Sequence, residues 1–333
     1  MAISSRNETD VIVVGGGGAA LAAASSARSA GAEVILLEKN PQLGGSTAWS
    51  VGSVTATQTP HQKKAGITDN PQDHLEDLKL FSKACKVDQR DNFELARVLC
   101  DHTPAMFAWL LSTGLEFVGP FPEPPHRVPR MHNVLPNSRA FPWLLGRYCR
   151  RQEVDIRLNT KALRLIMDNG HARGVLAREA DGSTTEIIAR KGVVLGAGDY
   201  SGGRELKTRF SSELIAHVDA VNPTNTGDGI RMGLENGGSV INGDYIRGPI
   251  LRFVPPRHTT FEQRLPPLPA ITKLIHWGMD HLPPHLGLRV LSRDSRRLTL
   301  QVVGSGPDAF AQFIQAEVSK WGKIVKESGA KVD

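Results

Sequence analysis

Cysteine is scarce. Three occur in 333 residues, Cys85, Cys100 and Cys149, an odd number with no CxxC spacing, so neither a disulfide framework nor a zinc site is indicated. No other metal set stands out. Long basic tracts are missing as well: the net charge of +6 is spread along the chain. That distribution suits acidic small molecules better than a nucleic-acid stripe, and no nucleic-acid-binding motif is present. Apolar runs stop short of the ~20 residues that span a bilayer. The first of them, Val11 to Ala24, lacks the basic segment that opens a secretory signal, since Glu8 and Asp10 outnumber Arg6. These absences describe a reduced, cytoplasmic chain without a membrane span. Its length suits two domains, or one large domain with an insertion.

Glycine, by contrast, is concentrated. The stretch DVIVVGGGGAALAAASSARSAGAEVILLEKN, Asp10 to Asn40, sets four consecutive glycines between an apolar run and an alanine-rich run. Val11 to Val14 are β-branched and suit a buried parallel strand, and Ala19 to Ala30 suit a helix of small side chains. Between them Gly15, Gly17 and Ala20 take the GxGxxG/A spacing of a dinucleotide-binding turn. Gly15 allows the sharp turn, Gly17 leaves room for a pyrophosphate, and Ala20 lets the helix pack closely on the sheet. A second strand, Glu33 to Leu37, ends at Glu38, about 20 residues on, where an acid accepts hydrogen bonds from a ribose. A secretory signal and an ordinary tight turn explain fewer of these residues.

The next segment, LEKNPQLGGSTAWSVGS, resembles the flavoprotein family that includes fumarate reductase, the succinate dehydrogenase flavoprotein and 3-ketosteroid 1-dehydrogenase. In that family an acid-lysine pair is followed by a glycine-rich segment that wraps the FAD pyrophosphate and reaches the flavin. Glu38, Lys39, Gly44, Gly45, Ser46 and Thr47 match it. Covalent members place a histidine where this chain has Ser46, so the resemblance implies a non-covalent, dissociable FAD. Downstream, Val154 to Glu179 alternates apolar and polar residues around an Asn169-Gly170 hairpin turn. In the family this region passes the adenine, which implies contacts near Thr160 and Ala162. GVVLGAGDYSG resembles the returning strand, with Ala197 and Gly198 at the cofactor and Asp199 in place of a common glycine. NPTNTGDG matches the TGDG segment, where Thr226 to Gly229 open a helix and Asp228 joins the site. The resemblance covers residues 8–287.

Between these segments, Asn70 to Cys85 and Asp91 to Gly114 show helical spacing, with Leu95, Val98, Leu99, Phe107 and Leu110 expected mostly in the core. Phe117 to Pro136 reads as a proline-rich loop whose His126, Arg127, Arg130 and His132 either wall a substrate site or carry solvated charge.

After Asn242 the chain turns proline- and arginine-rich, as at the start of the family's capping domain, but no GLYAAGE-like return segment follows. The resemblance therefore implies a truncated capping region. Gly304 to Asp333 has helical apolar spacing through Phe310, Phe313, Ile314, Val318, Trp321 and Val325. This tail resembles the closing helix of Bug-type tricarboxylate-transporter receptors, and an unrelated amphipathic helix is the alternative.

The expectation is an α/β chain: a Rossmann-like FAD-binding domain with a central parallel sheet over 8–246, a truncated capping start over 247–298 and a helical tail over 299–333. The family resemblance implies FAD-dependent hydride transfer at a carbon next to a carbonyl or carboxylate, with a steroid ketone or a carboxylate as substrate. No catalytic residue is carried over. The alternatives are an inactive FAD-binding fragment and a carboxylate solute-binding protein.

Overall fold

The computed structural model describes residues 7–245, 251–254, 265–281 and 299–302. Strands β1 (Glu8–Val14) and β2 (Val34–Leu37) flank helix α1 (Gly18–Ser29), and a 3-10 turn follows at Gly45–Trp49. Strand β3 (Ser53–Thr55) leads into helices α2 (Pro60–Lys64), α3 (Pro71–Ala84) and α4 (Phe93–Ser112). Then come β4 (Glu116–Phe121), β5 (Met131–Leu135), α5 (Ala140–Arg151) and the strands β6 (Asp155–Arg157), β7 (Lys161–Asp168), β8 (His171–Arg178) and β9 (Thr184–Leu195). Helices α6 (Arg204–Phe210), α7 (Glu213–Ala216) and α8 (Asp228–Glu235) precede β10 (Leu251–Val254), α9 (Pro269–His281) and β11 (Thr299–Val302).

The main sheet has the order β6-β2-β1-β9-β8-β7. Strands β6, β2, β1 and β9 run parallel, and β9-β8-β7 continue as an antiparallel meander. Both faces of the parallel part are covered. Val13, Val34 and Leu36 pack with α1 and α5 through Leu21, Ala24, Leu144 and Leu145, while Ile12, Val14, Ile35 and Leu37 pack with Ala162, Val175, Ile187 and Met232. Burial on both faces is why β1 and β2 read as unbroken apolar runs. Each fully buried leucine here, such as Leu21 or Leu36, contributes about 1.5–3 kcal/mol of transfer free energy. The Asn169-Gly170 turn joins β7 to β8 with positive φ at both residues, 48° and 77°, the twist that a two-residue hairpin needs.

The proline-rich stretch is not a loop throughout. It supplies β4 and β5, which with β3 make an antiparallel sheet of order β3-β5-β4. Proline is tolerated because Pro120 falls at the register break between Val118 and Phe121, where no ladder bond is required. Its two arginines are held in ion pairs, Arg130 in the interior and Arg127 at an exposed position. Arg130 is fully buried, with Nε and Nη2 bidentate on Asp69 at 2.7 Å and Nη1 on Asp77. Arg127 pairs with Asp73, Glu76 and Asp77.

In α4, Phe107 and Leu110 are buried as expected, but Leu95, Val98 and Leu99 are 66%, 53% and 57% exposed. Helical spacing marks an apolar stripe without telling whether a neighbour covers it along its whole length. The expected tail helix over 304–333 lies outside the described residues, as does most of 247–298. Thr299–Val302 is a strand, antiparallel to Leu251–Val254.

Candidate functional site

A cleft of about 370 Å³ opens at the carboxyl end of β1, lined by residues 14–19, 37–40, 45–47, 160–162 and 195–199 with Thr224, Asn225 and Asp228. This is the position at which doubly wound sheets hold their ligands. Of the sequence-predicted site residues, Gly15, Gly17, Glu38, Lys39, Gly45, Ser46, Thr47, Ala162, Ala197, Gly198 and Asp228 line it. Ala20 and Gly44 stand one layer behind. Ala20 is fully buried, and a Cβ added to Gly196 would lie 3.0 Å from it, so its small side chain sets the approach of α1 to β9. Gly44 donates its amide to the Gly16 carbonyl and fixes the 3-10 turn against the glycine turn.

The four glycines have separate reasons. Gly15 has φ +114°, and a Cβ there would lie 2.4 Å from the Gly196 carbonyl oxygen. At Gly16 the Cβ would meet Glu38 Oε2 at 2.6 Å, and at Gly18 it would meet Thr47 Oγ1 at 3.0 Å. Gly17 differs. It caps α1 with an ordinary extended backbone, φ −82°, and its nearest neighbour to a Cβ is 3.8 Å away. Nothing among the described residues crowds a Cβ there, the Gly44 carbonyl oxygen and Thr47 Oγ1 lying at ordinary contact distance, 3.8 and 3.9 Å, and the residue borders the cleft. Thr47 Oγ1 accepts the Gly18 amide at 3.0 Å, tying the helix start to the 3-10 turn.

Glu38 is 5% exposed. Its Oε1 accepts the Asn40 amide at 2.8 Å and Asn40 Nδ2 at 2.7 Å, which holds the carboxylate at the end of β2. Lys39 turns across the cleft: its Nζ donates to Asp228 Oδ2 at 2.7 Å and to Thr226 Oγ1 at 2.9 Å. Asp228 begins α8 and also faces Lys161 and Arg231. Burial pushes its carboxyl up, but the lysine and its neighbours outweigh that and hold it below the usual carboxylate range. Lys39 and Asp228 thus act first on each other, lacing the β2 end to α8. Asp199 closes its own turn by accepting the Ser201 amide at 2.7 Å.

Residues 10–248 match the sequence profile of the FAD binding domain family. The chain belongs to that family. Among curated proteins, a probable fumarate reductase of Shewanella frigidimarina is 28% identical over 225 residues, 66% of this chain and 37% of the relative. Urocanate reductase of Eggerthella lenta is 29% identical over 230 residues, 66% of this chain and 36% of the relative. The open conformation of a flavocytochrome c3 fumarate reductase superposes with a TM-score of 0.67 at 28% identity, covering 73% of this chain and 43% of that one. The chain therefore spans less than half the length of these relatives. FAD is the cofactor of the family, and the cleft fits it: an acid at the end of β2, a glycine turn open to the cleft at Gly17, and backbone exposed at 195–199.

Sequence reasoning passed over Asn40, Asn222, Thr224 and Asn225. Asn222, Thr224 and Asn225 show in NPTNTGDG only as short polar side chains ahead of a helix start, with no sign there of what they bond to.

Proposed function

We propose that the chain holds FAD without a covalent bond and forms the FAD-binding part of a fumarate reductase-type oxidoreductase. The observation that carries this is Gly17, a glycine with no conformational or packing reason that borders the cleft. In this reading the backbone at residues 16–18 admits the diphosphate, Glu38 accepts the ribose hydroxyls, Ala162 lies along the adenine, and Ser46 and Thr47 approach the flavin half. Ser46 carries no imidazole, so no protein atom at that position can be alkylated by the flavin. Bound FAD supplies the hydride acceptor or donor for a carbon next to a carboxylate or carbonyl. The substrate is then a small carboxylate or a steroid ketone. We place the chain in the cytoplasm; no helix among the described residues is long and apolar enough to cross a membrane.

The test is an absorption spectrum of the purified protein followed by acid precipitation. The expected result is a flavin band that moves into the supernatant. Colour retained in the pellet would mean a covalent flavin, and no uptake of added FAD would end the reading. Turnover is tested separately, by fumarate reduction with a reduced dye and by ketosteroid dehydrogenation with an artificial acceptor.

A further inference from the structure

We propose that Asn222 and Asn225 are positioning residues that turn the Ser46 hydroxyl into a fixed hydrogen-bond donor toward the flavin nucleotide, an inference that rests on the FAD reading above. The two asparagines are 4% and 7% exposed, whereas Ser46 is open to the cleft.

The direction of each hydrogen bond follows from one backbone group. The Thr224 amide can only donate, and it donates to Asn222 Oδ1 at 3.2 Å, with Thr224 Oγ1 donating to the same oxygen at 2.8 Å. Asn222 must therefore present Nδ2 on its other side. That group reaches Asn225 Oδ1 at 3.1 Å and Ser46 Oγ at 3.3 Å. With its Oδ1 occupied as an acceptor, Asn225 presents Nδ2 to Ser46 Oγ, at 2.7 Å. Ser46 Oγ thus receives two N–H donors. A hydroxyl has two lone pairs and one proton, so the proton is the remaining capacity, and it points away from both asparagines to the open side. Gly198 belongs to the same arrangement: a Cβ there would lie 3.0 Å from Asn225 Nδ2, so the glycine leaves the asparagine its place. A donor held by two buried amides reaches an acceptor of the nucleotide with little ordering left to do.

The experiment is a double-mutant cycle on FAD affinity, read by quenching of flavin fluorescence in the full chain. Ser46→Ala should raise the dissociation constant roughly three- to tenfold, with the melting temperature of the FAD-free protein unchanged. Asn225→Ala should raise it by a similar factor, and the double variant should be no weaker than the worse single variant. Asn225→Asp keeps Oδ1 for Asn222 and offers Ser46 an acceptor, which draws the proton inward; it should weaken FAD at least as much as Ser46→Ala and serves if the alanine variant does not fold. Additive losses in the cycle, or an unchanged affinity in Ser46→Ala, would overturn the proposal. Failure of the FAD reading is distinguishable, because it shows in the wild-type protein before any variant is made.

Discussion

Gly15 and Gly17 differ in what an added methyl group would do. At Gly15 an alanine meets a left-handed φ and a carbonyl oxygen at 2.4 Å, so Gly15→Ala should destabilise the FAD-free fold by at least about 1–3 kcal/mol, read in a denaturant titration. Gly17 caps α1 with an extended backbone that serine also favours. Gly17→Ser should leave that titration within about 1 kcal/mol of wild type while FAD affinity falls at least roughly tenfold, because the added side chain stands at the border of the cleft. Equal losses in the two titrations would mean that Gly17 is structural after all. Glu38→Ala removes a charged acceptor from the ribose position, an interaction of about 1.5–3 kcal/mol. The dissociation constant for FAD should rise roughly tenfold or more, and an unchanged value would make Glu38 an ordinary acid bound to Asn40.

At the scale of elements, α2, α3 and the β3-β5-β4 sheet enclose Arg130, Asp69 and Asp77 together with His74, His126 and His132. Burial, helped by the Arg130 charge, lowers His74 from 6.5 to about 4, and burial beside His61 lowers His132 likewise to about 4. The unfolded chain takes up these protons near 6.5 while the folded chain refuses them until about 4. Stability is therefore full above that window and falls as pH drops through it. The Asp69 and Asp77 carboxyls, held below the usual range against the pull of burial by their arginine partners, extend the loss to lower pH. Urea midpoints should fall from about pH 7 to about pH 4.5, and His74→Gln should flatten that fall; a slope that His74→Gln leaves unchanged would assign the effect elsewhere. This region was the least legible in the sequence. Its prolines pointed to a loop, because a register break that accommodates Pro120 has no local signature, and a buried arginine looks like any other until Asp69 and Asp77 are brought to it. The glycine turn, Glu38 and the Asn-Gly hairpin were legible because each belongs to a contiguous pattern, strand-turn-helix-strand for the first two and strand-turn-strand for the third. Asn222 and Asn225 were not, since their partner Ser46 is remote in the chain.

The whole molecule draws its cleft from five separated stretches of chain: the glycine turn, the segment after β2, the start of β7, the end of β9 and the start of α8. Lys39–Asp228 and Ser46–Asn225 already bridge the second and fifth. A ligand seated among all of them binds the folded chain and has no site in the unfolded one, so it stabilises by RT ln(1 + [L]/Kd), about 2.7 kcal/mol at a hundredfold excess over Kd. For a domain of this size a kilocalorie moves the melting temperature by about 2–4 °C. FAD at that concentration should then raise the melting temperature by roughly 5–10 °C. The rise should come as one transition: α2 and β4 pack together, α5 packs on both α1 and the 3-10 turn, and Phe107 and Phe117 share a core with Val13 and Leu36. Scanning calorimetry with and without FAD decides this. A trace that splits, with one part moving and the other fixed near its FAD-free temperature, would show that the β3-β5-β4 sheet and its helices unfold apart from the cofactor cleft, against the shared core described here.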